Sequence, residues 1–256
     1  MKLSHVEIVT DRTAESRCDE GFLRLRRLVV RNHYQDGGSS RPYNCDIVYR
    51  RDIDAVAMAL WEDTRDAEGR RRIRVALRRG LRVPIYLRKD QEDAGREEPI
   101  HDAILELVAG VIEPHDEGMQ GVLDRARAEA REEAGLDVPT DHIRSLGGPF
   151  FPSPGITPEM VYLAAVEARL DERGEPEGDG SVMEEGATVE VLELRDAITR
   201  CRDGRLPDAK TEIGLLRLAD LVGYIPQLDC FVDELPEELQ ARWSRLGVPD
   251  DQSPTD

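Results

Sequence analysis

Three acidic residues near the middle of the chain, Glu129, Glu132 and Glu133, are the strongest candidates for chemistry. On a helix, Glu129 and Glu133 stand one turn apart, and Glu132 lies at the edge of the same face. Like charges at this spacing repel each other and destabilise a helix. A divalent cation such as Mg²⁺ offsets the repulsion, because it binds carboxylate and phosphate oxygens together. The three glutamates therefore predict metal-assisted chemistry on a phosphate compound.

The sequence around these glutamates predicts a strand, a glycine loop and a helix, in that order. Residues 104–108 form an apolar run that leads directly into Ala109 and Gly110. Downstream, apolar residues recur at spacings of three and four, which marks a helix face; they are Leu123, Ala126, Ala130 and Ala134. Gly135 follows and predicts the end of this helix, because glycine tolerates the left-handed conformation found there.

The segments 110–113 and 129–136 together resemble the signature of Nudix hydrolases. That signature is a glycine loop feeding a helix that ends Arg-Glu-apolar-any-Glu-Glu-any-Gly-apolar. The chain fits at every position of the helix end except one, where Ala128 replaces the arginine. That arginine pairs with the helix carboxylates in the family, and Arg127 and Arg131 flank the gap here. The loop also carries about four extra residues, within positions 114–121.

The resemblance implies a fold and a metal centre. The fold is an α/β/α sandwich with a mixed sheet, to which this chain adds a small N-terminal antiparallel extension. The metal centre holds two or three Mg²⁺ (or Mn²⁺) ions. Its ligands are Glu129, Glu133 and the backbone carbonyl of Ala109. We expect these ions to neutralise a diphosphate and to orient a water molecule for attack.

The residue that activates the water is expected on a mobile loop. Residues 171–186 are acidic and glycine-rich, which is typical of such a loop. The resemblance implies that Glu184 or Glu185 is the glutamate of this loop that activates the water or binds metal, with Glu185 slightly favoured. These acids could instead serve only to solvate the loop. In that case Glu132, on the helix, is the catalytic base.

Three further segments resemble ADP-ribose and nucleoside-diphosphate-sugar pyrophosphatases: residues 107–113, 153–159 and 204–211. The resemblance implies Glu113, Pro154 and Gly155 as substrate-binding residues. Independently, residues 70–89 contain nine basic residues and no acidic one. Arginine matches phosphate geometry, so Arg79 and Arg82 are candidates for binding the diphosphate. A solvated pair of strands explains the same basic run equally well.

The chain divides into three parts by pattern. Residues 1–50 hold a polar, poorly ordered start (1–21) and two strands at 22–30 and 43–49, an extension that could pair with a second subunit. Residues 51–225 are the Nudix domain. Residues 226–256 are an acidic tail with a short helix.

The composition of the chain indicates which classes of partner it does not bind and where in the cell it is expected. The net charge is −18, which argues against non-specific binding to nucleic acid and to an anionic membrane surface. The sequence has no apolar run of membrane-spanning length and no secretory signal at its start, so we expect a cytoplasmic protein. The four cysteines are too far apart in sequence for a Cys-x-x-Cys unit.

These observations support one main hypothesis. It is an enzyme that hydrolyses the pyrophosphate bond of a nucleoside diphosphate sugar or ADP-ribose, giving a nucleoside monophosphate and a sugar phosphate. The alternative is a Nudix-fold module that binds such a nucleotide as a sensor, which Ala128 and the long loop favour. A third possibility is a scaffold whose acidic tail recruits a partner.

Overall fold

The computed structural model describes residues 3–12, 14, 23–90, 101–178 and 186–243. The chain forms two compact units. The N-terminal unit consists of residues 1–54 and 151–160, and the larger unit consists of residues 55–150 and 161–256. Two segments therefore belong to a different unit from the one predicted by sequence pattern. Residues 151–160 belong to the N-terminal unit, and the segment after 226 belongs to the larger one.

The N-terminal unit is built on an antiparallel sheet of three strands: β1 (Leu3–Asp11), β2 (Arg24–Tyr34) and β3 (Tyr43–Tyr49). Our prediction of a poorly ordered start was wrong for residues 3–11, which pair with β2 over most of their length. Cross-strand contacts compensate for their polarity, because Glu7 accepts a hydrogen bond from His33 (2.7 Å) and pairs with Arg31 (3.4 Å). Leu28 and Val30 supply the buried face of β2.

The larger unit is built on a mixed sheet of seven strands. The strands are β4 (Ala55–Arg65), β5 (Arg71–Gly80), β6 (Ile104–Glu106), β7 (Val108–Val111), β8 (Arg144–Ser145), β9 (Val161–Glu167) and β10 (Thr188–Glu193). Strand β4 lies at the centre, parallel to β9 on one side and antiparallel to β5 and β7 on the other. Strands β10 and β6 pair with β5, and β8 pairs with β9.

Helices cover both faces of this sheet. On one face lies α2 (Gly118–Ala134), whose small apolar residues pack on Val56, Met58 and Leu60. On the other face lie α3 (Leu194–Arg202) and α4 (Ala209–Val222), which pack on Ala57 and Ala59. The side chains of β4 alternate between the two cores, as expected of a strand buried on both faces.

Shorter elements complete the larger unit. They are α1 (Val83–Tyr86), the hairpin of β11 (Tyr224–Ile225) and β12 (Cys230–Phe231), and α5 (Glu237–Gln240). Tyr224 and Phe231 are buried in the same core as α4, so the start of the expected tail is part of the folded unit. Helix α3 was not anticipated from the sequence. The predicted single strand at 104–108 is divided into β6 and β7 at Leu107.

The fold class expected from the sequence is confirmed: a mixed sheet lies between helices, and a small antiparallel sheet stands at the N-terminus. No helix in the described ranges is both long enough and apolar enough to cross a membrane.

Candidate active site

The glycine loop and helix α2 meet at Gly110 and Glu129. A β-carbon built on Gly110 would lie 1.7 Å from Glu129 Oε1, so the carboxylate occupies the space that any other residue would fill. Gly110 sits on β7, opposite Val56 of β4, and this pairing fixes its backbone. The chain therefore needs glycine here because a carboxylate is held directly against the strand.

Glu133 lies beside the same strand and has two partners. The Ala109 N–H donates to Glu133 Oε2 (3.0 Å), and Arg78 Nε of β5 lies 3.2 Å from Glu133 Oε1. Both side chains are buried, at 5% exposure for Arg78 and 6% for Glu133. A buried carboxylate loses its hydration, and Arg78 and the Ala109 N–H offset this loss for Glu133 and fix its side chain in place.

Glu132 is half-buried on α2, between these two carboxylates in sequence. Within the described part of the chain, its side chain makes no hydrogen bond or ion pair. The backbone around it is fixed, since its carbonyl accepts from the Gly178 N–H (2.9 Å). The helix ends at Ala134, and the next residue, Gly135, adopts the left-handed conformation with a φ of 66°. Glu132 is thus a carboxylate available to a ligand.

Arg125 joins the glycine loop to the helix. Its guanidinium lies 3.0 Å from Asp116 Oδ2, 3.2 Å from Glu113 Oε1 and 4.0 Å from Glu129 Oε1. Burial acts to raise the pKa of Asp116, but the Glu113 N–H and Arg125 outweigh burial and hold it below its ordinary value. Glu113, expected to bind substrate, is therefore engaged by Arg125.

The two arginines expected to bind a diphosphate each have a carboxylate partner. Arg79, on β5, pairs with Glu190 of β10, and Arg82, just beyond β5, lies 2.7 Å from Glu106. Their side chains are 40% and 39% exposed. Both guanidiniums reach the surface while paired, so a phosphate would have to share or displace a carboxylate to bind them.

Glu106 is the centre of a buried charge network. It accepts hydrogen bonds from Arg82 and from Lys210 of α4, and Lys210 also pairs with Asp208. Burial acts to raise the pKa of Glu106, but Lys210 and Arg82 outweigh it and hold this pKa below its ordinary value. Burial likewise opposes the charge of Lys210, and Glu106 and Asp208 keep its pKa raised.

The same network connects α4 to the strand that leads to the glycine loop. Asp208 caps α4 by accepting from the Thr211 N–H (3.0 Å), and the Leu107 N–H donates to Thr211 Oγ1 (2.8 Å). Leu107 is the residue between β6 and β7. These bonds fix the chain three residues before Gly110, and so they support the loop on which the site depends.

The remaining expected residues lie elsewhere. Pro154 and Gly155 belong to the N-terminal unit, in a turn where the Ile156 N–H donates to the Ser153 carbonyl. The Ile156 carbonyl accepts from the Val48 N–H of β3. Glu184 and Glu185 lie outside the described residues.

The oxygen atoms around Gly110 are of the type that a hard divalent cation binds. Glu129, Glu132 and Glu133 carry carboxylate oxygens, and Ala109, whose N–H binds Glu133, carries the backbone carbonyl expected from the sequence as a further ligand. Across the described residues, no three His, Cys, Asp or Glu side chains converge on one point. The contact between Arg78 and Glu133 explains part of this, because it draws one carboxylate towards the strand. The chemistry of the donor set fits Mg²⁺ or Mn²⁺, with Glu129 and Glu132 more accessible than Glu133.

A cavity of about 740 Å³ opens at the other end of β4, near Trp61, His142 and Arg144. None of the helix carboxylates lines it. Arg71, on its wall, is already held by Asp63 at 2.7 Å. We therefore place the candidate active site at the glycine loop and not in this cavity.

Sequence reasoning missed Arg78, Arg125, Glu106 and Lys210. Arg127 and Arg131, which flank Ala128, pair instead with Asp137 (2.9 Å) and Glu177 (3.3 Å). Two signals were available. Glu106 is a lone acid within an apolar run, and Lys210 is one of only three lysines in the chain.

Compared by sequence, the chain matches no protein-family profile and no curated protein. Compared by structure, it matches 106 chains of solved structures. One of them, described as the crystal structure of ADP compounds hydrolase, is 15% identical in sequence with a TM-score of 0.53. The match covers 87% of this chain and 95% of that one. At this identity the likeness concerns the fold alone, which has a mixed sheet between helices as in this Nudix-like neighbour.

Proposed function

We propose that this protein is a divalent-metal-dependent hydrolase of the pyrophosphate bond in a nucleoside diphosphate sugar or ADP-ribose. The observation that carries the proposal is the contact of Glu129 with Gly110 beside the bond from Ala109 to Glu133. Two carboxylates of α2 thus lie against adjacent residues of β7, on a fold shared with an ADP compounds hydrolase.

The reaction joins a water oxygen to one phosphorus atom and breaks its bond to the bridging oxygen, which leaves with the other phosphate. Glu129, Glu133 and the Ala109 carbonyl would hold Mg²⁺ or Mn²⁺. The bound cation supplies neutralisation of the phosphate charge and a lower pKa for the attacking water. Arg79 and Arg82 are proposed to bind the non-bridging oxygens, since both reach the surface as guanidiniums.

A carboxylate must take the proton of the water as the new bond forms. Glu132 is the described candidate, because it is half-buried and has no ion-pair partner among the described residues. Glu184 or Glu185 remains the proposal drawn from the sequence. Glu132→Gln and the double variant Glu184→Gln/Glu185→Gln separate the two: the true base is the one whose loss lowers kcat strongly and KM less. The other variant is expected to keep kcat within about twofold of the wild type.

The function is tested with a substrate panel. Purified protein is incubated with ADP-ribose, UDP-glucose or GDP-mannose and with Mg²⁺ or Mn²⁺, and nucleoside monophosphate is measured. Glu129→Gln is the matched control for contaminating hydrolases. We expect release of monophosphate by the wild type that requires the metal and is lost in the control. Equal release by both proteins would contradict the proposal.

A binding module is the second candidate, and one observation favours it. Arg78 already neutralises Glu133, which leaves fewer negative charges for a cation. A sensor would bind ADP-ribose or a nucleotide sugar tightly in calorimetry without releasing monophosphate at any metal concentration. Turnover in the panel rules this candidate out.

We also propose that the N-terminal sheet forms a homodimer. Strands β1 and β3 are the edges of its three-stranded sheet, and Ile8 and Tyr43 expose large apolar surfaces on them. Exposed edges of this kind pair readily with another strand. Light scattering at micromolar concentration is expected to give twice the chain mass, and a monomer would contradict this proposal.

A further inference from the structure

We propose that Arg125 is the positioning residue of the metal-binding carboxylates and takes the place of the arginine missing at position 128. This inference rests on the proposed function, because it concerns the same carboxylates. It goes beyond it by assigning a role to a residue that neither the motif nor its flanking arginines indicated.

Arg125 bridges three carboxylates from two segments: Glu113 and Asp116 of the loop, and Glu129 of the helix. Its side chain is only 15% exposed, and Asp116 is 9% exposed. A guanidinium has donors in a fixed fork, so it can hold several carboxylates at set positions. Arg127 and Arg131 face other partners and cannot do this.

Helix α2 begins at Gly118, so residues 118–121 of the lengthened segment form its first turn. Gly121 lies tightly on the loop, since a β-carbon there would be 2.3 Å from the Asp116 carbonyl carbon. The loop thus meets the helix near its N-terminal end. Arg125 faces this loop. It stands three residues before position 128, about one helical turn away and on the same side of α2.

The Glu129 carboxylate lies against Gly110 on one side and Arg125 on the other. Without Arg125, the repulsion between Glu129, Glu133 and the loop acids would favour other rotamers of Glu129. Residues that orient a metal ligand in this way typically change metal affinity or activity by about 10- to 100-fold when they are removed.

Mn²⁺ affinity tests whether Arg125 positions the carboxylates or acts only through its charge, because the two roles predict opposite changes in affinity when Arg125 is removed. Mn²⁺ binding is measured by electron paramagnetic resonance without nucleotide in the wild type, Arg125→Ala and the matched control Arg127→Ala. Loss of a cation 4.0 Å from Glu129 would, by Coulomb's law alone, tighten Mn²⁺ binding. We expect Arg125→Ala to weaken it instead, by about tenfold or more. Arg127→Ala is expected to stay within about twofold of the wild type.

Rescue completes the test. In Arg125→Ala/Ala128→Arg, an arginine returns to the family position, and we expect it to recover at least half of the lost Mn²⁺ affinity on a logarithmic scale. Thermal denaturation of every variant shows whether each one is folded. Tighter or unchanged Mn²⁺ binding by a folded Arg125→Ala protein would overturn the inference. A different result would contradict the proposed function alone: Mn²⁺ binding weakens in Arg125→Ala as expected, but the wild type hydrolyses no compound of the substrate panel.

Discussion

The carboxylate of Glu129 occupies the space beside the α-carbon of Gly110 that a β-carbon would fill if this residue were not glycine. The two residues are nineteen positions apart, on a strand and on a helix. Their contact sets the distance between the glycine loop and the helix. It also explains in physical terms why the motif needs glycine at this position.

Gly110→Ala should therefore disable the site while leaving the protein folded. The new methyl group must push Glu129 aside, and a displacement of about 1 Å can cost about 100-fold in rate. The measurement is kcat/KM with the best substrate of the panel. Gly148→Ala is the control, because a β-carbon there has no atom within 4 Å. Activity of Gly110→Ala within twofold of the control would contradict the role of this contact.

Glu133→Gln should abolish hydrolysis and also lower stability. The change removes a negative charge from the proposed metal site and leaves the buried Arg78 without this carboxylate. Breaking one side of a buried pair costs about 3–5 kcal/mol.

The double variant Arg78→Met/Glu133→Gln should recover most of that stability in urea denaturation and remain inactive. Replacing both side chains removes the buried guanidinium that had lost this carboxylate, but it does not restore the metal ligand. If the double variant is no more stable than Glu133→Gln, the ion pair is not the source of the loss. If Glu133→Gln keeps wild-type turnover at saturating Mg²⁺, Glu133 has no metal role.

Glu106 should make stability depend on pH in the acid range. Its pKa is held below the ordinary value in the folded state, so its contribution is fully present above the unfolded pKa of about 4.3. As pH falls through the lower folded pKa, the contribution is lost, because the unfolded chain binds the proton first.

Glu106→Gln should consequently cost about 3–5 kcal/mol at pH 7, since Lys210 and Arg82 lose their shared partner. The difference from the wild type should shrink as pH falls below about 4. Urea denaturation between pH 3 and pH 7 measures it. The exposed Glu68→Gln is the control and should change the free energy of unfolding by less than about 0.5 kcal/mol. A difference that stays constant with pH would contradict this assignment.

Cys201 should resist alkylation in the folded protein. Burial, together with nearby Glu212 and Asp208, raises the pKa of its thiol to about 12. At pH 8 only about one such thiol in 10,000 is a thiolate, the reactive form. Peptide mass spectrometry after iodoacetamide treatment should find Cys201 unmodified before denaturation and modified after it, with the half-buried Cys45 as the internal reference. Equal rates for both thiols would contradict this.

Local pattern was sufficient to predict the strand–loop–helix unit. Its signals, a glycine after an apolar run and a helix face with a glycine stop, depend only on residues close in sequence. The same pattern predicted the faces of α2 that pack on the sheet. Glu106 and Lys210 were missed because their contact joins residues 104 positions apart.

The replacement for the missing arginine is not a neighbour of Ala128 in sequence. Arg127 and Arg131 each lie two residues from Glu129, about 200° around the helix, so neither faces this carboxylate. Arg125 stands four residues before Glu129, one turn along α2, so the spacing that indicates it is counted from Glu129 and not from Ala128. Arg78 reaches Glu133 from a different element altogether, which no pattern within α2 records.

The central position of β4 has a consequence for synthesis of the protein. One side of this apolar strand is covered by β5, which follows it immediately, but its other side pairs with β9, whose first residue lies 106 positions after that of β4. A ribosome adding about 5–20 residues per second needs several seconds to make that stretch. During this time the nascent chain presents a bare apolar strand edge, the kind of surface that chaperones cover and that aggregates when they do not.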